Sequence, residues 1–470
     1  MAGVRWRAER FAVAPGHTAR LRLTTSLAAV KTTVVLFTRD LRLHDHPALT
    51  AATRQSDRVV PAFVIDRRLI AGRAGGPNRL AFLLESLRDL DRSLRDRGSS
   101  LFVRSGDVVT EVMRLARECR AEAIFISEDI SGYARHRMRR LRLACAQEGL
   151  DLRAFEGVTI VPPGELTPQS GDHYRVFTPF WRAWRAASKR DPLAAPRKLR
   201  SPSRPPSGRL PKLSDLTANL PVTDLPPGGE SAGRDRLGRW LRNGSRRYVD
   251  LADDLPADAT SHLSPYLHFG CLSANEVLSR VDQQQGLEDF ARQLCWRDFH
   301  HQVLAARPDI PYNDYRERGR RWKSRRGQLD AWKEGRTGYP IVDAGMRQLA
   351  DRGFLPNRAR LIVASFLTKT LGIDWRPGAL HFERLLVDGD LANNVGNWQW
   401  VAGTGNDTRP NRVLNPIRQA RRFDPAGTYV RGLLPELAGI AGWAIHEPWK
   451  LNREVRGGLD YPDPLVPPPS

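Results

Sequence analysis

The chain has 470 residues and a formal net charge of +22, because 74 Lys and Arg residues stand against 52 Asp and Glu. Hydrophobic residues make up 41% and charged residues 27%, which is the composition of a soluble globular protein with two or three domains. No run approaches the roughly 18 apolar residues of a membrane-spanning helix. The four Cys are scattered without a CxxC pair, which argues against a disulfide framework or a structural zinc site and predicts a cytoplasmic location.

The positive charge favours a polyanionic partner such as a nucleic acid. The alternative is an Arg-rich, high-GC source that uses Arg as its ordinary solvated residue, and charge alone leaves both interpretations open. Residues 1–30 are basic and lack hydrophobic periodicity. We expect them to be a disordered extension or the product of a start codon assigned too early, with a transit-type peptide as a third option.

Residues 31–160 alternate short apolar strands with amphipathic helices, and this alternation predicts a doubly wound parallel sheet. Neither GxGxxG nor GxxxxGK[ST] occurs there, so no dinucleotide or triphosphate fingerprint is present. Strands are predicted at 33–37, 59–65, 101–104, 123–127 and 152–155, with helices at 78–95, 108–119 and 133–147.

Residues 161–235 are rich in Pro, Ser, Gly and basic residues, which predicts an inter-domain linker. The aromatic segment 177–181 interrupts it and is expected to dock on a domain. From residue 236 to residue 470, helical patterns separated by Gly, Pro and Asp predict an all-helical domain. The predicted helices are 287–306, 328–333, 341–351, 358–371, 377–386 and 391–402.

Three segments of this domain carry residue types suited to chemistry, although each also has a structural interpretation. Residues 388–400 combine carboxylates, amides and two Trp, which is also the pattern of a capped amphipathic helix with core Trp residues. Hydroxyls at 260–264 precede an apolar helix and suit a phosphate, or serve as ordinary caps. Gln293, Trp296 and Arg297 share one helix face, which suits base, stacking and phosphate contacts or a plain surface helix.

In order along the chain, these segments resemble the photolyase/cryptochrome family, in its class I bacterial DNA photolyase branch. The resemblance extends from about residue 34 to residue 449. It is carried by segments 37–42, 260–265, 337–340 and 393–400. Found together in this order, these segments outweigh the structural interpretations given for each alone.

The resemblance implies a helical domain that binds FAD in a U shape and contacts DNA. Asn394 would face flavin N5, where an amide hydrogen-bonds without adding negative charge and suits repair better than plant-type signalling. The residues implied around the phosphates and ribityl chain are Tyr248, Thr260, Ser261, Leu263 and Ser264. Those implied around the flavin are Trp296, Arg297, Asn357, Arg360, Asp388, Gly389, Asp390 and Asn394, with Arg360 paired to Asp388.

The resemblance also implies light-driven repair of cyclobutane pyrimidine dimers by electron transfer from reduced FAD, carried out by a monomer. Trp398, Trp375 and Trp322 would relay electrons from the surface to the flavin. The residues implied at the flipped dimer and its flanking phosphates are Gln293, Trp296, Arg297, Arg358, Leu361 and Trp400. The N-terminal sheet, in the region of Arg39, Asp40 and His44, would hold an antenna chromophore, either a folate or a deazaflavin.

Three departures from the family pattern leave the substrate open. Gln293 stands where dimer-repairing members have Glu, and Leu361 replaces a Met of the dimer pocket. Neither Asn357 nor Leu361 is the His that (6-4) repair requires. Residues 410–412 form a shorter, less aromatic loop that was expected near the cavity. A photolyase and a cryptochrome-like blue-light photoreceptor with weak or no repair therefore both remain, and the charge of +22 favours the photolyase. A DNA-binding protein without flavin would not need the Trp relay.

Overall fold

The computed structural model describes residues 30–72, 75–203 and 205–468. The predicted N-terminal extension therefore lies outside the described residues, apart from its last position. None of the helices in the described ranges is long and apolar enough to span a membrane.

A five-stranded parallel sheet forms the N-terminal domain, as the alternating pattern predicted. Its order is β3-β2-β1-β4-β5. The strands are β1 Val30–Leu36, β2 Ser56–Ile65, β3 Phe102–Ser105, β4 Ala123–Ser127 and β5 Asp151–Phe155. The helices of this domain are α1 Pro47–Gln55, α2 Arg67–Ala71, α3 Pro77–Arg95, α4 Val108–Glu118 and α5 Gly132–Glu148.

The two faces of this sheet belong to different cores. Val34 and Leu36 point into a core that they share with α4 and α5. Val35 and Phe37, whose side chains point the other way, join a core that continues into the helical domain. The sheet is therefore packed on both sides, which agrees with its nearly continuous apolar strands.

The helical domain follows, and the predicted α/β plus all-α architecture is confirmed. Its first helix begins at Glu230, before the predicted boundary at residue 236. The helices are α6 Phe177–Ala186 in the linker, then α7 Glu230–Asn243, α8 Tyr248–Leu251, α9 Ser264–His268, α10 Ala274–Asp282, α11 Glu288–Ala306, α12 Arg326–Glu334, α13 Pro340–Arg352, α14 Asn357–Ser365, α15 Trp375–Leu385, α16 Leu391–Ala402, α17 Pro416–Phe423, α18 Thr428–Leu433 and α19 Arg453–Gly457. The predicted helix 358–371 is divided, because residues 366–370 continue α14 as a π-helical turn.

The linker helix α6 docks on α11, as its aromatic composition predicted. The ring of Phe177 stacks on Trp296 with centroids 3.7 Å apart and an interplanar angle of 3°. Trp184 is fully buried and donates its indole N–H to Asp298 at 3.0 Å. The same carboxylate accepts from the backbone N–H groups of Ile160 and Val161, so α11 ties the linker to the end of the N-terminal domain.

Candidate functional site

A cavity of about 430 Å³ lies in the helical domain. This volume is in the range of small-molecule and cofactor sites. Every residue predicted at the cofactor or the substrate lines it, except Arg358, Trp322 and Trp375. Residues separated by more than 150 positions, such as Tyr248 and Trp400, thus line the same cavity.

Helix α16 forms one wall of the cavity, and its first turn is fixed by Asp390. The Asp390 carboxylate caps the helix by accepting from the Asn393 backbone N–H at 2.9 Å. One turn further, Asn394 is buried and donates its side-chain N–H to the Ala379 carbonyl at 2.9 Å. Trp398 follows on the same face, so the spacing of four residues lines up the three side chains along the cavity.

An ion pair anchors the segment before α16. Arg360 on α14 donates to both carboxylate oxygens of Asp388, at 3.0 and 2.8 Å. The Ser264 hydroxyl donates to the same carboxylate at 2.5 Å. Because three hydrogen bonds from two side chains converge on Asp388, the cavity wall formed by α9, α14 and the start of α16 is held in one arrangement.

Helix α11 presents Gln293, Trp296 and Arg297 to the cavity, as the i, i+3 and i+4 spacing predicted. Gln293 is exposed at the cavity edge, while Trp296 is held flat by Phe177. Arg297 points into the protein: its side chain is 10% exposed and donates to the Val158 carbonyl at 2.7 Å. That position suits a bridge between domains better than the predicted contact with a DNA backbone phosphate.

The hydroxyl-bearing segment 260–264 lies along the same cavity. Among the described residues the buried Thr260 hydroxyl has no hydrogen-bond partner, although a buried polar group ordinarily has one. Ser261 is buried, and its backbone carbonyl is held by the Arg236 guanidinium at 2.9 Å. An unsatisfied hydroxyl at the wall of a cavity is the arrangement expected where a ligand supplies the partner.

The predicted relay residues range from the cavity wall to a partly exposed position. Trp398 lines the cavity and is 2% exposed, whereas Trp375 is buried behind it on α15. The two helices pack so closely that a Cβ at Gly378, one turn after Trp375, would lie 2.4 Å from the Trp398 ring. Trp322 is partly exposed, with the Arg320 guanidinium 5.7 Å from its ring centroid.

Two predicted features lie away from the cavity. Arg358 forms an ion pair with Asp253 and stacks on Phe423 at 4.3 Å, and it is not among the lining residues. The loop 403–412 is pinned by Lys369, whose ammonium donates to the carbonyls of Ala402 and Pro410 at 2.9 and 2.5 Å. No residue of that loop lines the cavity within the described ranges, although Trp400 and Val401, just before it, do.

Several buried residues near the cavity were not singled out from the sequence. Trp332 is fully buried and its ring centroid lies 6.0 Å from that of Trp398. His268 and His300 line the cavity. Arg39, assigned from the sequence to the antenna region, instead donates to Asp390 and to the His268 carbonyl. Its place in segment 37–42 was visible in the sequence, but its partners more than 200 positions away were not.

A second cavity, of about 400 Å³, lies at the carboxyl ends of β4 and β5. Its wall combines residues 128–142 and 156–163 with His301 and Ala305 of α11. Arg137 is buried there, and its Nε has no hydrogen-bond partner among the described residues. Asp40 and His44, predicted near an antenna, are not part of this wall: Asp40 pairs with His46 at 3.0 Å and His44 with Glu230 at 2.8 Å.

Comparisons with known proteins agree with this arrangement. The family model described as DNA photolyase matches residues 33–198, and the one described as the FAD binding domain of DNA photolyase matches residues 290–468. A deoxyribodipyrimidine photo-lyase of Streptomyces griseus is 54% identical over 437 residues, which cover 92% of this chain and 96% of that protein.

More distant relatives also match over nearly the whole chain. A cryptochrome DASH of Gloeobacter violaceus is 38% identical, with 93% of each chain covered. The crystal structure of a bacterial class III photolyase from Agrobacterium tumefaciens is 34% identical, with a TM-score of 0.86 and coverage of 95% of this chain and 96% of that one. The similarity therefore includes both domains.

Proposed function

Because the chain belongs to the photolyase/cryptochrome family, we propose that it repairs cyclobutane pyrimidine dimers in DNA in a light-driven reaction with FAD as its cofactor. The observation that carries this proposal is that the residues suited to the flavin and those suited to the lesion line a single cavity. One wall of the cavity contains Asp388, Asp390 and Asn394, and the same cavity is also lined by Gln293 and Trp400.

The cavity fits FAD by its own chemistry. The unpartnered Thr260 hydroxyl and the neighbouring Ser261 and Tyr248 are suited to phosphate and ribityl oxygens. The Asp388–Arg360 pair and the Asn394 amide provide fixed polar groups for a flavin ring. When bound and reduced, FAD supplies light-driven one-electron transfer.

The residues of this chain position the reactants. The amide of Asn394 is held by the Ala379 carbonyl and presents no charge to the cofactor. Trp296 and Trp400 offer aromatic walls for an extruded pyrimidine dimer, since stacking compensates for leaving the duplex. Gln293, exposed at the cavity edge, supplies amide donors and an acceptor to that substrate.

The second cavity is where we place an antenna chromophore. It lies outside the carboxyl ends of parallel strands, where open α/β sheets bind ligands, and the buried Arg137 favours an anionic group. Both a folate and a deazaflavin carry such a group, so the choice between them stays open. We further propose that the protein acts as a monomer in the cytoplasm, with damaged DNA as its partner. Its place in the class I branch of the family stays a prediction.

A light-driven repair assay tests the proposal. Purified protein with fully reduced FAD is mixed with an ultraviolet-treated oligo(dT), and the loss of thymine dimers is followed under blue light and in the dark. We expect turnover only in the light. FAD uptake without turnover would favour the photoreceptor, and failure to bind FAD would contradict both functions.

Gln293→Glu separates the two functions further. A carboxyl group at this position shares a proton with the substrate, which an amide cannot do. We expect dimer turnover to rise several-fold, because general acid assistance contributes roughly 10²-fold or more where it is fully developed. Equal or lower turnover would show that Gln293 does not limit repair.

The relay is tested by Trp322→Phe. Phe is much harder to oxidise than Trp, so the variant should lose most of its photoreduction of oxidised FAD. Repair by chemically pre-reduced protein should be unchanged, because that step does not use the relay. Trp443, which is 40% exposed beside Arg421, provides a matched surface Trp→Phe control. Equal loss of photoreduction and repair would contradict the assignment.

A further inference from the structure

One half-buried arginine connects the walls of the two cavities. Arg39 follows β1, and Asp129 follows β4, the strand beside it in the sheet. The sheet order reverses between these two strands, so both side chains stand at the topological switch point. From there Arg39 reaches across the domain boundary to Asp390 at the start of α16.

The contacts of Arg39 divide its charge between two carboxylates. Its guanidinium donates to Asp390 and lies 3.7 Å from Asp129, and its Nε donates to the His268 carbonyl at 3.2 Å. Both carboxylate side chains are 6% exposed. Asp129 belongs to the wall of the second cavity and Asp390 to the wall of the flavin cavity.

The neighbouring imidazoles do not replace this charge. Burial lowers the pKa of His301 to about 4 and also lowers the pKa of His268, so both rings are neutral at pH 7. They lie 3.7 and 3.9 Å from the Asp390 carboxylate. Arg297, another nearby cation, is already paired with Asp298 at 3.5 Å and with the Val158 carbonyl.

Burial alone would raise the pKa of Asp390, but its interactions with His301, Arg39 and His268 outweigh burial and hold that pKa well below its ordinary value. The pKa of Asp129 is lowered in the same way, with burial opposed by Arg39 and Arg137. Both groups are therefore carboxylates at pH 7. Arg39 faces both carboxylates, so any change at one of them alters the field at the other through this guanidinium.

We propose that Arg39 is a positioning residue that couples the two cavities, because it holds Asp390 and shares its charge between Asp390 and Asp129. The proposal rests on the proposed function, since Asp390 acts here through a bound flavin. Reduction adds negative charge to the flavin, so the net charge of the Arg39 cluster shifts the balance between its oxidised and reduced forms. A change of charge at the second cavity therefore changes the balance between oxidised and reduced flavin in the first.

The proposal predicts shifts of opposite sign for two substitutions. Arg39→Gln leaves Asp390 unbalanced and disfavours the reduced flavin, which lowers its midpoint potential. Asp129→Asn removes the competing carboxylate, so that Arg39 favours the reduced flavin and the midpoint potential rises. Each shift should correspond to at least about a fivefold change in the ratio of the affinities for reduced and oxidised FAD, the lower end of ordinary site coupling.

Spectroscopic redox titration of FAD bound to the full-length protein measures these shifts. Arg39→Lys keeps the charge and should stay near the wild-type potential, which a role in packing alone would not predict. Arg117→Gln and Glu148→Gln, from an exposed pair at 3.2 Å in the same domain, are controls that match the charge changes.

Shifts of the same sign in Arg39→Gln and Asp129→Asn, or shifts no larger than those of the controls, would overturn the coupling. If Arg39→Gln does not fold, Asp129→Asn and Arg39→Lys still decide the question, because a potential of Asp129→Asn equal to wild type contradicts it. Repair activity and FAD uptake of the wild-type protein are measured separately. Failure of the proposed function is therefore distinguishable from failure of the coupling.

Discussion

The two cavities have similar volumes, about 430 and 400 Å³, but different construction. The flavin cavity is lined by aromatic, amide and hydroxyl groups from several helices of one domain. The second cavity lies on the boundary between the domains, with arginines and carboxylates along its wall. Size therefore says little about what each cavity binds, whereas the lining separates a site rich in aromatic, amide and hydroxyl groups from one with arginines and carboxylates along its wall.

The two cavities should also differ in the kind of substitution that disturbs them. The flavin cavity is defined by close helix packing, so it should respond most to changes of shape. The second cavity is defined by a few buried charges, so it should respond most to changes of charge. The experiments below test this contrast in order of decreasing effect.

Gly378→Ala should have the largest effect, and on the flavin cavity alone. The added methyl group would lie 2.4 Å from the Trp398 ring and 2.6 Å from Leu367, so the ring must move into the cavity. Overpacking of this kind costs roughly 1–3 kcal/mol of unfolding free energy. We expect FAD to be lost during purification. The measurement is the ratio of the absorbance of the purified protein at about 450 nm to that at about 280 nm.

Gly432→Ala is the control for this change, because Gly432 also lies in a helix but has no atom within 4 Å of an added Cβ. It should keep FAD and stay within about 1 kcal/mol of wild type in urea unfolding. Retention of FAD by Gly378→Ala would show that the cavity is less tightly packed than its geometry indicates.

Arg137→Met should instead affect the second cavity. Removing one partner of a buried charge contact costs roughly 2 kcal/mol or more, or about 30-fold in affinity. We expect that loss for methenyltetrahydrofolate or 8-hydroxy-5-deazaflavin, measured by fluorescence titration, with FAD content unchanged. Arg142→Met, which alters another arginine on the same wall, gives the comparison. Loss of FAD without loss of the added chromophore would reverse the roles of the two cavities.

Mild acid should lower the free energy of unfolding through two adjacent histidines of α11. His300 lines the first cavity and His301 lines the second. Burial lowers the pKa of His300 and of His301 to about 4, against about 6.5 in an unfolded chain. Between these values the unfolded state binds more protons, so stability falls as the pH drops below 6.5. The loss is roughly 2 kcal/mol for each histidine at pH 5, measured by urea unfolding at pH 7.5 and pH 5.

His300→Gln should remove about half of that pH dependence, whereas His136→Gln, at an exposed position, should leave it unchanged. The same pH dependence in both variants would mean that other groups control acid unfolding.

Much of the fold could be predicted because the relevant information is local. Each strand of the sheet is a short apolar run between turns, and the predicted order of strands and helices is confirmed. Helix α16 begins and ends where predicted, because Asp390 caps its start and Gly403, in the left-handed region, ends it. The face shared by Gln293, Trp296 and Arg297 follows from helical spacing alone.

What the sequence could not show depends on partners far along the chain. Arg297 has the side chain of a phosphate ligand, yet it is buried against Val158, 139 positions away. The same holds for Arg39 and Asp390, which are 351 positions apart. The π-helical turn after Ser365 also carries no local signal that distinguishes it from a regular continuation. The roles of the individual site residues stay predictions until the variants are measured.

The shared core has a consequence for synthesis on the ribosome. Phe82 of α3 packs against Tyr266 and Phe269, which follow it by roughly 180 residues. At about 5–20 residues per second, those partners emerge on the order of 10 seconds or more after Phe82. During that interval the nascent sheet domain exposes the apolar face that the helical domain later covers, so chaperones that bind such surfaces should engage the chain before residue 266 has emerged.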